Sequence, residues 1–217
     1  MSSSLEKTLS DFQASVAENM PEDMLNALPA AIDKLAATEI ANNALKAGSD
    51  FPNFELVNAT YEMVSLKSLL KKSPLIINFY RGSWCPYCNF ELQAYQQLLP
   101  EIKAAGGQLI AISPQQADNS LDTVEKNNLQ FEVLSDHNNV LADKLGIRFD
   151  FDSALKPIYE QLNLDLGKMH GVEDWQLPIP ATYVVDQHGI IVLASVNADY
   201  TSRLEPEEAI AALKSIN

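Results

Sequence analysis

Apolar residues at Leu5, Leu9, Phe12 and Val16 recur three and four positions apart, the spacing of one face of an α-helix. Pro21 interrupts that stripe, and Leu25, Leu28, Ile32 and Leu35 open a second one that runs on towards Leu45. Pro29 falls inside it, where the missing N–H and the ring predict a kink or a restart. Gly48 predicts its stop. Residues 1–48 therefore read as a helical extension. Two amphipathic stripes must bury their faces, either on the chain's own domain or in a homodimer contact, and the periodicity fits both.

From Phe51 the pattern changes. Phe54–Val57 reads as a short strand, and Leu75-Ile-Ile-Asn-Phe-Tyr80 is the continuous apolar run of a strand covered on both faces. A helix is predicted from about Pro86, with Leu92, Tyr95, Leu99 and Ile102 on one face, a bend at Pro100 and an end at Gly106-Gly107. Gln108–Ser113 follows as a strand, Ser120–Asn128 as a helix, Phe131–Leu134 as a strand, and Asn138–Leu145 as a short helix stopped by Gly146. Residues 148–178 read as irregular apart from one helix near 154–162. Ala181–Val185 and Ile190–Ala194 flank Asp186-Gln-His-Gly189 as a hairpin, and Glu205–Ile216 closes the chain as a helix with Pro206 in its first turn. This order predicts an α/β fold, a mixed β-sheet with helices on both faces, over residues 49–217.

Composition narrows the function classes. With 217 residues, 47% of them hydrophobic, the chain can bury a core without staples. A net charge of −14 disfavours nucleic acid and anionic membrane surfaces as partners. No apolar run approaches the ~18 residues of a membrane helix. The start, Met1-Ser-Ser-Ser-Leu5-Glu6-Lys7, lacks the basic segment and apolar core of a secretory signal, so the cytoplasm is the expected location. Two cysteines three positions apart do not make a disulfide framework. His137, His170 and His188 stand apart, and a tetrahedral zinc site needs four ligands, so neither a metal nor another cofactor is expected.

The two cysteines form Cys85-Pro86-Tyr87-Cys88, directly after the predicted buried strand and at the start of a helix. Pro86 suits the first helical turn, where no N–H is needed. A thiolate there faces unpaired N–H groups and the positive end of the helix dipole, which lowers its pKa, and Arg81 adds to the effect. Residues i and i+3 of a helix are close enough for a reversible disulfide. The first sulfur sits at the helix end and the second one turn further in, which suggests an attacking and a resolving thiol.

The segment Phe79-Tyr-Arg-Gly-Ser-Trp-Cys-Pro-Tyr-Cys-Asn-Phe-Glu91 resembles the active site of peroxiredoxin-like proteins in the alkyl hydroperoxide reductase/thiol-specific antioxidant family of the thioredoxin superfamily. Gly48–Val57 with Val64-Ser-Leu66 is similar to that family's opening, and Ser135–Ala142 to its later loop and helix. The resemblance implies a thioredoxin-like fold, a hydroperoxide substrate and a thioredoxin-like reductant. A protein disulfide is the alternative substrate, and a redox-inert binding module the reading from another class.

Laid on this chain, the family pattern P-x-x-x-T-x-x-C puts its cysteine on Cys88, its threonine on Cys85 and its proline in the stretch Arg81-Gly-Ser-Trp84. The family's glutamate is matched by Glu91 and that residue's arginine partner by Arg203, while Pro180 stands where a further arginine is usual. Thioredoxin logic makes Cys85 the attacking sulfur and the peroxiredoxin pattern makes it Cys88; both orders stand. The resemblance also implies a cis-proline loop at Ile179-Pro180 set against the dithiol, and an ordinary proline at the entry to the strand is the other reading. Trp84 and Tyr87 read as pocket wall, Trp175 as a core or surface tryptophan, His137 as a loop residue and His188 as a turn residue without a role.

Overall fold

The structure is a computed structural model that describes residues 4–18, 20–173 and 175–216. Its strands are β1 (Glu55–Asn58), β2 (Met63–Ser65), β3 (Leu75–Phe79), β4 (Gln108–Ser113), β5 (Glu132–Ser135), β6 (Arg148–Asp150), β7 (Gln176–Pro178), β8 (Ala181–Val185) and β9 (Ile191–Val196). Its helices are α1 (Leu5–Ala17), α2 (Glu22–Ala36), α3 (Ile40–Asn43), α4 (Leu66–Leu70), α5 (Pro86–Ala104), α6 (Ala117–Asn127), α7 (Val140–Lys144), α8 (Lys156–Gln161), α9 (Leu166–His170) and α10 (Pro206–Lys214).

Seven strands form one mixed sheet in the order β2-β1-β5-β4-β3-β8-β9, with β3–β4 and β4–β5 parallel and the other pairs antiparallel. The side chains of β3 alternate between two cores. Ile76 packs with Tyr95, Leu99 and Ile102 of α5 and Ile210 and Leu213 of α10. Leu75, Ile77 and Phe79 pack on the other face with Phe51, Leu66, Leu69, Leu141 and Ile147. Burial on both faces explains why β3 reads as an unbroken apolar run. The hairpin of β8 and β9 forms as predicted, with a bulge at Val184/Val185.

The N-terminal helices pack most of their stripes on their own domain, with Leu25 left exposed. Leu5 and Leu9 are buried, and the Phe12 ring meets Tyr87 and Phe90 of α5 at centroid distances of 5.3 and 5.2 Å. Met24, Leu28 and Ala31 of α2 pack with Phe151, Leu155 and Tyr159. Pro29 lies inside a continuous α2 instead of restarting it. It and Leu25, whose carbonyl loses its helical partner, are both exposed, where a missing helix bond costs less than in a core. The second stripe ends at Ala36, not near Leu45, because Glu39 turns the chain at φ 57° before α3.

Residues 148–178 are more regular than predicted. β6 and β7 pair as a small antiparallel sheet that brackets a 3₁₀ turn at Ser153–Leu155, α8 and α9. Elements of three to six residues are too short to show a hydrophobic period. Among the described residues, no helix is long and apolar enough to cross a membrane.

Candidate active site

β3 delivers the chain to the site through Tyr80 and Arg81, and Cys85 is the N-cap of α5 with Pro86 in its first turn. The link between them is tightly shaped. Gly82 has φ +151°, and a Cβ there would overlap the Trp84 indole, so only glycine fits. Ser83 N–H donates to Gln115 Oε1 at 2.7 Å, and Asn89 Nδ2 donates to the Ser83 carbonyl at 2.8 Å. Both cysteines are free thiols, 1% and 0% exposed.

Two buried arginines flank them. Arg203 donates from Nε to Glu91 Oε2 at 2.8 Å and from Nη2 to Cys88 Sγ at 3.5 Å, while Nη1 holds the carbonyls of Tyr200 and Ser202. Arg81 donates from Nη2 to the Tyr159 hydroxyl at 2.8 Å, and its guanidinium lies 4.2 Å from the Tyr200 ring centroid and 4.8 Å from that of Trp84. Among the described residues no carboxylate pairs with Arg81, and its Nε has no hydrogen-bond partner. Rings close the surround: Trp84 on Tyr159 at 5.6 Å and Tyr87 on Tyr200 at 5.7 Å.

The electrostatics distinguish the two sulfurs. Burial opposes a thiolate at Cys85, but the Cys88 thiol and the charges of Arg81 and Arg203 outweigh it and pull Cys85 down to about 6. Burial, and then the neighbouring Cys85, push Cys88 up, well above the usual thiol range. Burial also raises Glu91 to about 7 against the attraction of Arg203. A cation without a carboxylate partner, next to a thiol that ionises readily, is suited to stabilising negative charge on or near that sulfur.

Arg81, Trp84, Pro86, Tyr87, Glu91 and Arg203 thus gather around Cys85 and Cys88, and Glu91 and Arg203 meet as a buried ion pair. Pro180 differs from the expectation. Among the described residues no peptide bond is cis, so the Ile179–Pro180 bond is trans. The chain runs extended from β7 into β8, with Ile179 N–H donating to the Ile147 carbonyl at 2.8 Å, and a trans bond meets that path. Pro180 borders a small cleft with Glu91, Thr182 and Arg203.

Trp175 belongs to the aromatic cluster of Phe151 and Tyr159, and His137 and His188 are exposed. Sequence reasoning missed Tyr159, Tyr200 and the buried His170. His170 lies in the stretch read as irregular, Tyr159 lies in the helix predicted near 154–162 but gets no role from the sequence, and Tyr200 three residues before Arg203 carries no pattern of its own. Among the described residues, no cluster of three His, Cys, Asp or Glu side chains is arranged to hold a metal.

The family model described as "AhpC/TSA family" matches residues 47–194 of this sequence. The chain belongs to the AhpC/TSA family. Within it, the chain is 27% identical over 182 residues to "Peroxiredoxin Q, chloroplastic" of Triticum aestivum, covering 84% of this chain and 71% of that one. It is 27% identical over 163 residues to the Oryza sativa subsp. japonica protein of the same name, covering 75% of this chain and 62% of that one. The crystal structure of peroxidoxin BcpB from Mycobacterium tuberculosis superposes with a TM-score of 0.63 at 21% identity, over 80% of this chain and 99% of that one. That likeness establishes the fold, a thioredoxin-like family sheet with α1–α3 lying ahead of the matched stretch.

Proposed function

We propose that this chain is a thiol peroxidase that reduces hydroperoxides through a Cys85–Cys88 dithiol–disulfide cycle, with Cys85 as the attacking sulfur. The observation that carries the reading is a helix-terminal thiol pulled down to about 6 beside Arg81, a buried guanidinium with no carboxylate partner among the described residues. Membership of the AhpC/TSA family and the relatives named peroxiredoxin Q support it.

In the first step the Cys85 thiolate attacks the terminal peroxide oxygen. An S–O bond forms, the O–O bond breaks, and the other oxygen leaves as alkoxide or hydroxide, which takes a proton from water. Arg81 and Arg203 are the nearby charges that favour this transfer of negative charge. Cys85 is oxidised by two electrons to a sulfenic acid and the peroxide is reduced to an alcohol or water. In the second step Cys88 displaces that hydroxyl, losing its thiol proton and releasing water, and the disulfide forms. The negative charge on Cys85, which adds to burial in holding Cys88 protonated, is gone by then, and loss of the Cys88 proton is opposed by burial alone. A thioredoxin-like dithiol returns the pair to the reduced state. That dependence on a thiol reductant suits a reducing compartment, and the cytoplasm is the proposed location.

Reduction of protein disulfides is the second reading, favoured by the helix N-cap position of Cys85. The burial of both sulfurs favours the small peroxide instead, since a protein disulfide needs an accessible attacker. Peroxide titration of the wild type, Cys85→Ser and Cys88→Ser with trapping of sulfenic acid tests the assignment. Sulfenate should accumulate in Cys88→Ser and be absent from Cys85→Ser. The reverse pattern gives the attack to Cys88, and no oxidation in any form rejects the peroxidase. Turnover with insulin but not with peroxide would favour the second reading.

A further inference from the structure

A cavity of about 140 Å³ lies between α2 and the β6–α8 segment, and its inner end reaches Arg81. We propose that it binds the hydrocarbon group of an organic hydroperoxide and selects substrates carrying a benzene-sized apolar group. The proposal rests on the peroxidase reading of Cys85 and adds to it where the non-reacting part of the substrate goes.

The walls are mostly apolar. Ala31 and Leu35 come from α2, Phe149 and Leu155 from the segment opposite, and Ala198 from the stretch after β9. A dry apolar cavity of about 150 Å³ accommodates benzene, so this one matches a ring or a short branched chain. The inner end is polar and differs from the walls: the Arg81 guanidinium, braced by the Tyr159 hydroxyl and the Tyr200 ring. Arg81 Nε is buried and has no hydrogen-bond partner among the described residues. An apolar cavity with one unsatisfied cationic end orients an amphiphile. The hydrocarbon lies against α2 and the hydroperoxy group sits at Arg81, whose charge also acts on Cys85. The Lys34–Asp152 ion pair stands at the rim.

The outer wall is α2, which lies ahead of the residues matched by the family model. The N-terminal extension thus acquires a role, that of shaping substrate choice in this chain. The step itself is unchanged. The thiolate takes the terminal oxygen and the alkoxide leaves at Arg81, takes a proton from water and departs as the alcohol.

The test compares cumene hydroperoxide with hydrogen peroxide, which has no hydrocarbon to place, in single-turnover tryptophan fluorescence. Ala31→Trp fills the cavity from α2, and Ala198→Leu fills it from the opposite wall. Each should lower the ratio of the two second-order rate constants about tenfold; a ratio unchanged in the folded variants overturns the proposal. A second measurement needs no variant and no turnover. 2-Phenyl-2-propanol, the product alcohol, added to the reduced wild-type protein should shift the amide resonances of Ala31, Phe149 and Leu155. Shifts confined elsewhere, or none, also overturn it. If the alcohol binds there while neither peroxide oxidises Cys85, the cavity stands and the peroxidase reading fails. If both peroxides react and the alcohol does not bind there, the reverse holds.

Discussion

Glu91 and Arg203 meet at 2.8 Å with side chains 1% and 2% exposed, although 112 positions separate them in the sequence. The bond holds the guanidinium so that its Nη2 faces Cys88 Sγ. Removing one partner leaves a buried charge uncompensated, a cost of about 3–5 kcal/mol. At pH 8 Glu91→Ala should lose that much stability in urea unfolding, and Glu91→Gln, which still presents an oxygen to Arg203, should lose less. Equal losses would remove the ion pair as the explanation.

Reactivity of Cys85 should follow its thiolate. The second-order rate with peroxide is expected to rise through about pH 6 and level off above pH 7, because Arg81, Arg203 and Cys88 hold the thiol below its ordinary value of 9.0. In Arg81→Met the midpoint should move up by ~1 unit. Linkage gives the companion sign. Between about pH 6 and 9 the folded protein binds fewer protons at Cys85 than the unfolded chain, so this group's contribution to stability is full above pH 9 and is lost as pH falls through about 6. A rate midpoint that stays put in Arg81→Met would show that Arg81 does not act on the thiol.

His170 sets a second pH dependence. It is 1% exposed, neither ring nitrogen has a hydrogen-bond partner among the described residues, and burial, helped by the charge of Arg81, lowers it to about 4. The unfolded chain takes up the proton near pH 6.5 and the folded protein only near 4. Stability should therefore fall as pH drops from 6.5 to 4, by ~3 kcal/mol from this residue. His170→Leu should flatten the slope of unfolding free energy against pH over that interval, and an unchanged slope would place the titration elsewhere.

The start of α1 is capped from the far end of the chain. Leu5 and Glu6 donate their backbone N–H groups to Glu205 Oε2 and Oε1 at 3.1 and 2.7 Å. Charged acceptors at a helix N-terminus contribute about 1 kcal/mol. Glu205→Ala should speed hydrogen exchange across residues 5–17 by roughly fivefold, on that figure and the ordinary conversion of free energy to rate, while β3 exchanges as before. No change in α1 would mean that its packing on α5 alone holds it.

Much of this molecule is visible in one dimension. The unbroken apolar run of β3, the α5 stripe of Leu92, Tyr95, Leu99 and Ile102, and the β8–β9 hairpin around Gly189 are local patterns, and each forms where its pattern predicts. The placement of Cys85 and Cys88 at a strand–helix junction is equally legible, because it lies in three-residue spacing just after the apolar run. In residues 148–178 the helix predicted near 154–162 forms as the 3₁₀ turn and α8, but β6, β7 and α9 are not legible, since none is long enough to show a period.

The sequence by itself determined the strand–helix order and the place of Cys85 at a helix start, because these depend on neighbours within a few turns. Only the tertiary structure decided which charges surround the sulfurs. Arg81 meets Tyr159 and Tyr200, Arg203 meets Glu91 and Cys88 from 112 and 115 positions away, and its charge adds to the pull of the nearby Cys88 thiol and Arg81 on Cys85. Coulombic effects act through space and sharpen where water is excluded, so the Cys88 thiol and the folded positions of Arg81 and Arg203 overcome burial at Cys85, while burial and the neighbouring Cys85 keep the proton on Cys88.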